Sequence, residues 1–137
     1  MKNIIRSMVL LSVIGLLLAA CGAKAPTAEK ISPSKLEPID GTDLSRVILT
    51  QKAAERIGIQ TMPAAGNEVP YAAVIYDIEG NTWVYTSPAP LTFQRAPIAV
   101  EHIEGNTAFL AESLPSGLDV VTVGVAELWG TETGVSK

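Results

Sequence analysis

Apolar and polar positions follow different rules in successive stretches of this chain. Residues 8–18 are apolar apart from Ser12 and Gly15, and they follow seven residues that carry Lys2 and Arg6 and no acid. From residue 22 to about 42 no period survives: the stretch is Lys, Glu, Ser, Thr and Ala interrupted by Pro26, Pro33 and Pro38, the composition of a tether. The pattern returns in RVILTQKAAERIGIQT, residues 46–61, as a short strand, a two-turn helix and a second short strand beginning at Ile59. Thr50 is placed to cap that helix and Gly58 to close it, with Ala53, Ala54 and Ile57 on one apolar face. A loop containing Pro63 and Gly66 follows. Beyond it the chain is β in character, with strands expected over residues 69–76, 83–86, 93–102, 108–111 and 120–123. The residues after Trp129 are polar and Gly-rich, so fraying is expected there.

The pentapeptide IEGNT occurs twice, at residues 78–82 and 103–107. Its Gly-Asn pair suits a two-residue hairpin turn, where positive φ is required. Such turns set Ile78 opposite Trp83 and Tyr76 opposite Tyr85 in the first hairpin; in the second they set His102 opposite Phe109 and Val100 opposite Ala111. The expected fold is therefore mainly β: a small antiparallel domain of two similar hairpins in one half-buried sheet, with a closing strand and one short helix at its edge.

The N-terminal apolar run is about eleven to thirteen residues long, whereas a helix needs about 20 to cross the hydrocarbon of a bilayer. A charged start, a short apolar run and small residues are the parts of an export signal. The run ends in Leu18-Ala19-Ala20-Cys21-Gly22, which resembles a bacterial lipobox, and Cys21 is the sole cysteine. Ordinary signal cleavage is the alternative, but Leu18 is not small and the A-x-A-like Ala23-Lys24-Ala25 is followed by Pro26. The expected organisation is a lipoprotein signal peptide at 1–20, a lipidated tether at 21–43 and a β-rich domain at 44–137. Cys21 is then the lipid attachment, and two acyl chains suffice for stable anchoring. The expected location is the bacterial cell envelope, facing the periplasm. Gly22 stands where an aspartate signals inner-membrane retention in some bacteria, which favours the outer membrane and leaves the inner one open.

Charge narrows the partners. The formal charge of −4 becomes −6 once Lys2 and Arg6 leave with the signal, and from residue 57 to 136 Arg95 is the sole Lys or Arg against nine acids. Neutralising nucleic-acid phosphates is excluded as a mode of binding, and anionic headgroups should repel the domain. No nucleophile elbow, phosphate-cradling glycine loop or paired-cysteine metal site is present, so the chain is read as non-enzymatic, with no catalytic residues, no metal and no cofactor. His102 is the sole histidine and is expected to pack structurally beside Phe109; pairing with Met62 in a soft-metal site is the less favoured alternative. Asp77 and Glu79, like Glu101 and Glu104, flank the turns and are expected to be simply solvated rather than catalytic or calcium-binding. Among Trp83, Tyr85, Phe93 and Trp129, the two outside the hairpin pairings, Phe93 and Trp129, are the candidate partner-binding residues.

Two stretches carry a resemblance. LTQKAAERIGIQT, residues 49–61, looks like the opening of periplasmic adaptor subunits of RND-type efflux pumps, the membrane fusion proteins. VPYAAVIYDIEGNTWVYTSPAPLTFQRAPIAV followed by LPSGLDVVTVGVAELWG is similar to the C-terminal, membrane-proximal part of the same family. In that family the chain runs out through a β-barrel, a lipoyl-like domain and a helical hairpin, then returns, so both ends build the membrane-proximal domain. Here the two ends are joined through residues 62–67, with no helical pair and no lipoyl-like strands between them. The resemblance implies a membrane-proximal-domain-like module accessory to transmembrane efflux, meeting an RND pump or a full-length adaptor subunit by protein contact. A small-solute or metal-binding lipoprotein and a structural envelope lipoprotein remain the alternatives.

Overall fold

The structure, a computed structural model, describes residues 32–64 and 66–134. Strands β1 (Ser34–Pro38) and β2 (Ser45–Leu49) lead into helix α1 (Gln51–Ile57), strands β3 (Gln60–Pro63) and β4 (Glu68–Pro70), and a 3-10 turn at Tyr71–Ala73. Then come β5 (Ile75–Tyr76), β6 (Thr82–Ala89), β7 (Thr92–Ile98), β8 (Val100–Glu104), β9 (Thr107–Leu110), β10 (Asp119–Val123) and helix α2 (Val125–Thr133). The domain is mainly β and every strand pair is antiparallel.

The strands form two sheets, not one. The larger runs β1-β2-β7-β6-β10-β3 with β5 added on β6, and the smaller runs β4-β9-β8. Alternation along the central strands explains the layering, because successive side chains point to opposite faces. Tyr85 and Val121 join Val47, Leu49, Phe93 and the helix residues Ala54, Val125 and Leu128 in one core. Their neighbours Val84 and Val120 join Val69, Ala73, Ala108 and Leu110 in the other. Helices cover one face of the large sheet and the small sheet covers the other. The expected half-buried sheet is thus corrected: β6 and β10 are buried on both faces, which is why Val84-Tyr85-Thr86 and Val120-Val121 run without an exposed alternate. Thr86, the buried polar residue of this run, donates its hydroxyl proton to the Gln94 carbonyl.

Two expected strands are each broken where the chain changes sheet. The stretch 69–76 belongs to the small sheet as β4 and to the large one as β5, with the 3-10 turn after Pro70 between them. The stretch 93–102 breaks at Ala99 in the same way, between β7 and β8. Helix α1 stands as expected: Thr50 Oγ1 accepts from the Ala53 N–H at 3.2 Å, and Gly58, at φ 74°, closes the helix through N–H bonds to the Ala54 and Glu55 carbonyls. Two further readings are corrected. Ser34–Pro38, expected within the tether, is an edge strand pairing with β2, with Leu36 opposite Val47. Of the segment expected to fray after Trp129, residues 130–133 form the last turn of α2, so the described residues hold two α-helices. Gly124 makes the join from β10 to α2 at φ 91°, and a Cβ there would lie 2.4 Å from Ile59 Cδ1.

Candidate functional site

Arg95 and Phe93 lie two apart on β7 and so share the face that meets the helices. Phe93 fills the core, while Arg95, opposite Tyr85 across the strand pair, brings a cation to its rim. Trp129 and Glu132, three apart on α2, come down on the same spot. Arg95 Nε donates to Glu132 Oε2 at 2.9 Å and Nη2 donates to Oε1 at 3.1 Å. The Ser45 N–H donates to Oε1 at 3.1 Å, and the Tyr85 hydroxyl donates to Oε2. The guanidinium lies against two indoles, 4.7 Å from the Trp129 ring centroid and 5.0 Å from that of Trp83. Side-chain exposure is 11% for Arg95 and 4% for Glu132.

Four donors on one carboxylate and aromatic rings on the guanidinium make a closed clamp. It ties α2 to β2, β6 and β7, and it satisfies charges that would otherwise be costly to bury. Burial and the bond to Glu132 push the Tyr85 phenol far above its ordinary value, with Arg95 pulling weakly the other way. Glu132 was the member missed in the sequence. Its signal lay in its spacing from Leu128 and Trp129, which is legible only once α2 is read as a helix.

The clamp extends to the first hairpin. Trp83 Nε1 donates to Asp77 Oδ2 at 2.9 Å, and that oxygen also accepts from Asn81 Nδ2 at 2.9 Å. Asp77 Oδ1 accepts from the Glu79 N–H at 3.0 Å and the Asn81 N–H at 2.7 Å. Local desolvation pushes the Asp77 carboxyl up, but the bonds from Trp83, Asn81 and Glu79 outweigh it and bring the pKa down to about 2. Asp77 is therefore the organiser of its loop, which corrects its reading as a merely solvated acid. The hairpin register is corrected with it: Tyr76 pairs with Thr82 and Ile75 with Trp83, so residues 77–81 form the loop and Ile78 projects from it, 97% exposed. Beside the loop runs an open groove of about 760 Å³ walled by Tyr76, Asn81, Trp83, Pro97, Ile98 and Val100.

The second hairpin keeps its expected turn, Glu104 pairing with Thr107 around Gly105-Asn106. His102 faces Phe109, and their rings stack at 4.6 Å and 4°. His102 is exposed rather than packed inside, and a bulge at Glu101 sets Val100 opposite Leu110 instead of Ala111. Met62 lies on β3 in the large sheet and His102 on β8 in the small one. Among the described residues no group of three or more His, Cys, Asp and Glu is placed to hold a metal ion.

Phe93, expected to meet a partner, is corrected: it is 2% exposed, opposite Val47 in the core, because β2 covers the strand that the sequence left open. Trp129 is half-buried against Arg95. Cys21 lies outside the described residues. No helix among the described residues is long and apolar enough to cross a membrane. Comparison with protein-family models, curated proteins and solved structures finds no match.

Proposed function

We propose that this chain is a non-enzymatic lipoprotein, anchored through Cys21 and facing the periplasm, that serves a tripartite efflux system by contact with an RND pump or a full-length adaptor. The observation that supports this reading is topological. The two stretches that resemble the two ends of an efflux adaptor meet in one sheet: Gln60 and Thr61 of the first pair with Val123 and Val121 of the second, and β2, which ends on the first residue of that first stretch, Leu49, pairs with β7 through Val47 and Ile48. The link between them in sequence is residues 62–67, the place where the family inserts its barrel, lipoyl-like domain and helical hairpin. A module without those insertions acts close to its anchor. Its acidic surface steers it toward basic patches on a partner, so association weakens as salt rises.

Two measurements test the proposal. Cys21→Ala should release the protein from membranes washed with salt. A photoreactive residue at exposed Lys52, Glu112 or Glu127 in the full chain should capture a pump or adaptor subunit in cells. Capture of nothing at any surface position, with the protein abundant and folded, would replace this reading with that of a structural envelope lipoprotein.

A further inference from the structure

We infer that the first hairpin loop is a docking knob: Ile78, with Tyr71 and Tyr76 behind it, enters an apolar socket on a protein partner whose rim carries lysine or arginine. This inference rests on the contact role proposed above and gives that contact a place and a chemistry.

Three observations carry it. First, Ile78 is 97% exposed, and Tyr71 and Tyr76, whose side chains meet, are exposed at 43% and 49%; Tyr76 also walls the groove together with Asn81, Trp83, Pro97, Ile98 and Val100. Single exposed apolar residues are ordinary, but a contiguous apolar patch marks an interaction site. Second, the loop is held in advance. Two oxygens of Asp77 collect four donors from Glu79, Asn81 and Trp83, and Trp83 itself is braced on Arg95. A side chain presented on a fixed loop loses little freedom on binding, which is the condition for a strong anchor.

Third, the charge around the knob has one sign. Asp77 and Glu79 lie in the loop and Glu101 follows Val100, whereas the charge of Arg95, the sole Lys or Arg from 57 to 134, is spent on Glu132. Such a rim complements a cationic socket and is repelled by anionic headgroups, which favours a protein over a membrane. The edge strand β8 is a poorer docking surface, because Glu101 and Glu104 discourage strand addition.

The test places a photoreactive residue at Tyr71 in the full chain, in cells, alone and together with Ile78→Ser or Glu79→Lys. Both side chains are exposed, so the thermal midpoint should not move, and this is checked on each variant. The expected result is an adduct mapped to a partner peptide with apolar residues flanked by Lys or Arg. Its yield should fall on the order of tenfold or more with Ile78→Ser and severalfold with Glu79→Lys. Adducts to lipid alone, adducts to a second copy of this chain, or a yield indifferent to both substitutions would overturn the inference. Capture at Lys52, Glu112 or Glu127 but not at Tyr71 would overturn this surface and leave the contact role standing. Capture at none of these positions would overturn both.

Discussion

The two IEGNT segments are a comparison built into one chain. Residues 103–107 fold as the pentapeptide suggests, with Glu104 paired to Thr107 and a two-residue turn whose glycine has φ 56°. Residues 78–82 fold differently: pairing stops at Tyr76 and Thr82, Gly80 sits at φ 87°, and five residues make the loop. The difference lies in the residue before the repeat. Asp77 has a carboxylate that captures the N–H groups of Glu79 and Asn81, competing with the strand ladder, whereas His102 has none and stacks on Phe109 instead. The surroundings agree with this choice, since Trp83 reaches back to Asp77 from the Arg95 clamp. One preceding side chain thus decides whether an isoleucine pairs in a sheet, like Ile103 with Ala108, or stands in solvent, like Ile78.

The comparison can be broken from the clamp side first. Glu132→Ala leaves Arg95 buried without its carboxylate and should cost about 3 to 5 kcal/mol, read from denaturant midpoints. It should disturb the indole of Trp83 while leaving the ring-current shifts of the His102–Phe109 stack unchanged. Tyr85→Phe removes one donor to Glu132 and should cost about 1 to 2 kcal/mol. Because the folded phenol titrates above its ordinary value of 10.0, the stabilisation from Tyr85 is present below pH 10 and lost as pH rises beyond it. Tyr85→Phe should therefore flatten the alkaline limb of the stability profile.

Asp77 acts at the other end of the scale. Its folded value of about 2 lies below the ordinary 3.8, so its contribution is present above about pH 4 and lost as pH falls toward 2. The difference between wild type and Asp77→Ala should shrink over that window, followed by thermal midpoint. Smallest is His102→Ala: the exposed stack on Phe109 should be worth about 0.5 kcal/mol, and the two-residue turn should survive.

Where local chemistry decides, the fold was legible in the sequence. Thr50 and Gly58 bound α1 as their types require, and Gly105-Asn106 made the turn expected of it. Tertiary context decided the rest. Helix α2 carries Gly130, Thr131 and Thr133, poor helix formers, and is held by the Glu132 clamp to Arg95, a contact between distant parts of the chain. Ser34–Pro38 lacks an apolar face of its own and is a strand because β2 offers it a partner. Phe93 looked free because its strand pairing with β2 spans residues far apart in sequence. The doubly buried β6 also concealed that 69–76 and 93–102 each contribute to two sheets.

The central claim is that the Asp77 carboxylate sets the first loop apart from the second, and amide hydrogen exchange on the full chain tests it most directly. In the wild type the Glu79 and Asn81 amides should be protected by the Asp77 carboxylate. In Asp77→Ala both should exchange at near unstructured rates, while the Ala108 and Phe109 amides of the second hairpin keep their protection. Unchanged protection at Glu79 and Asn81, or an equal loss in both hairpins, would contradict the account.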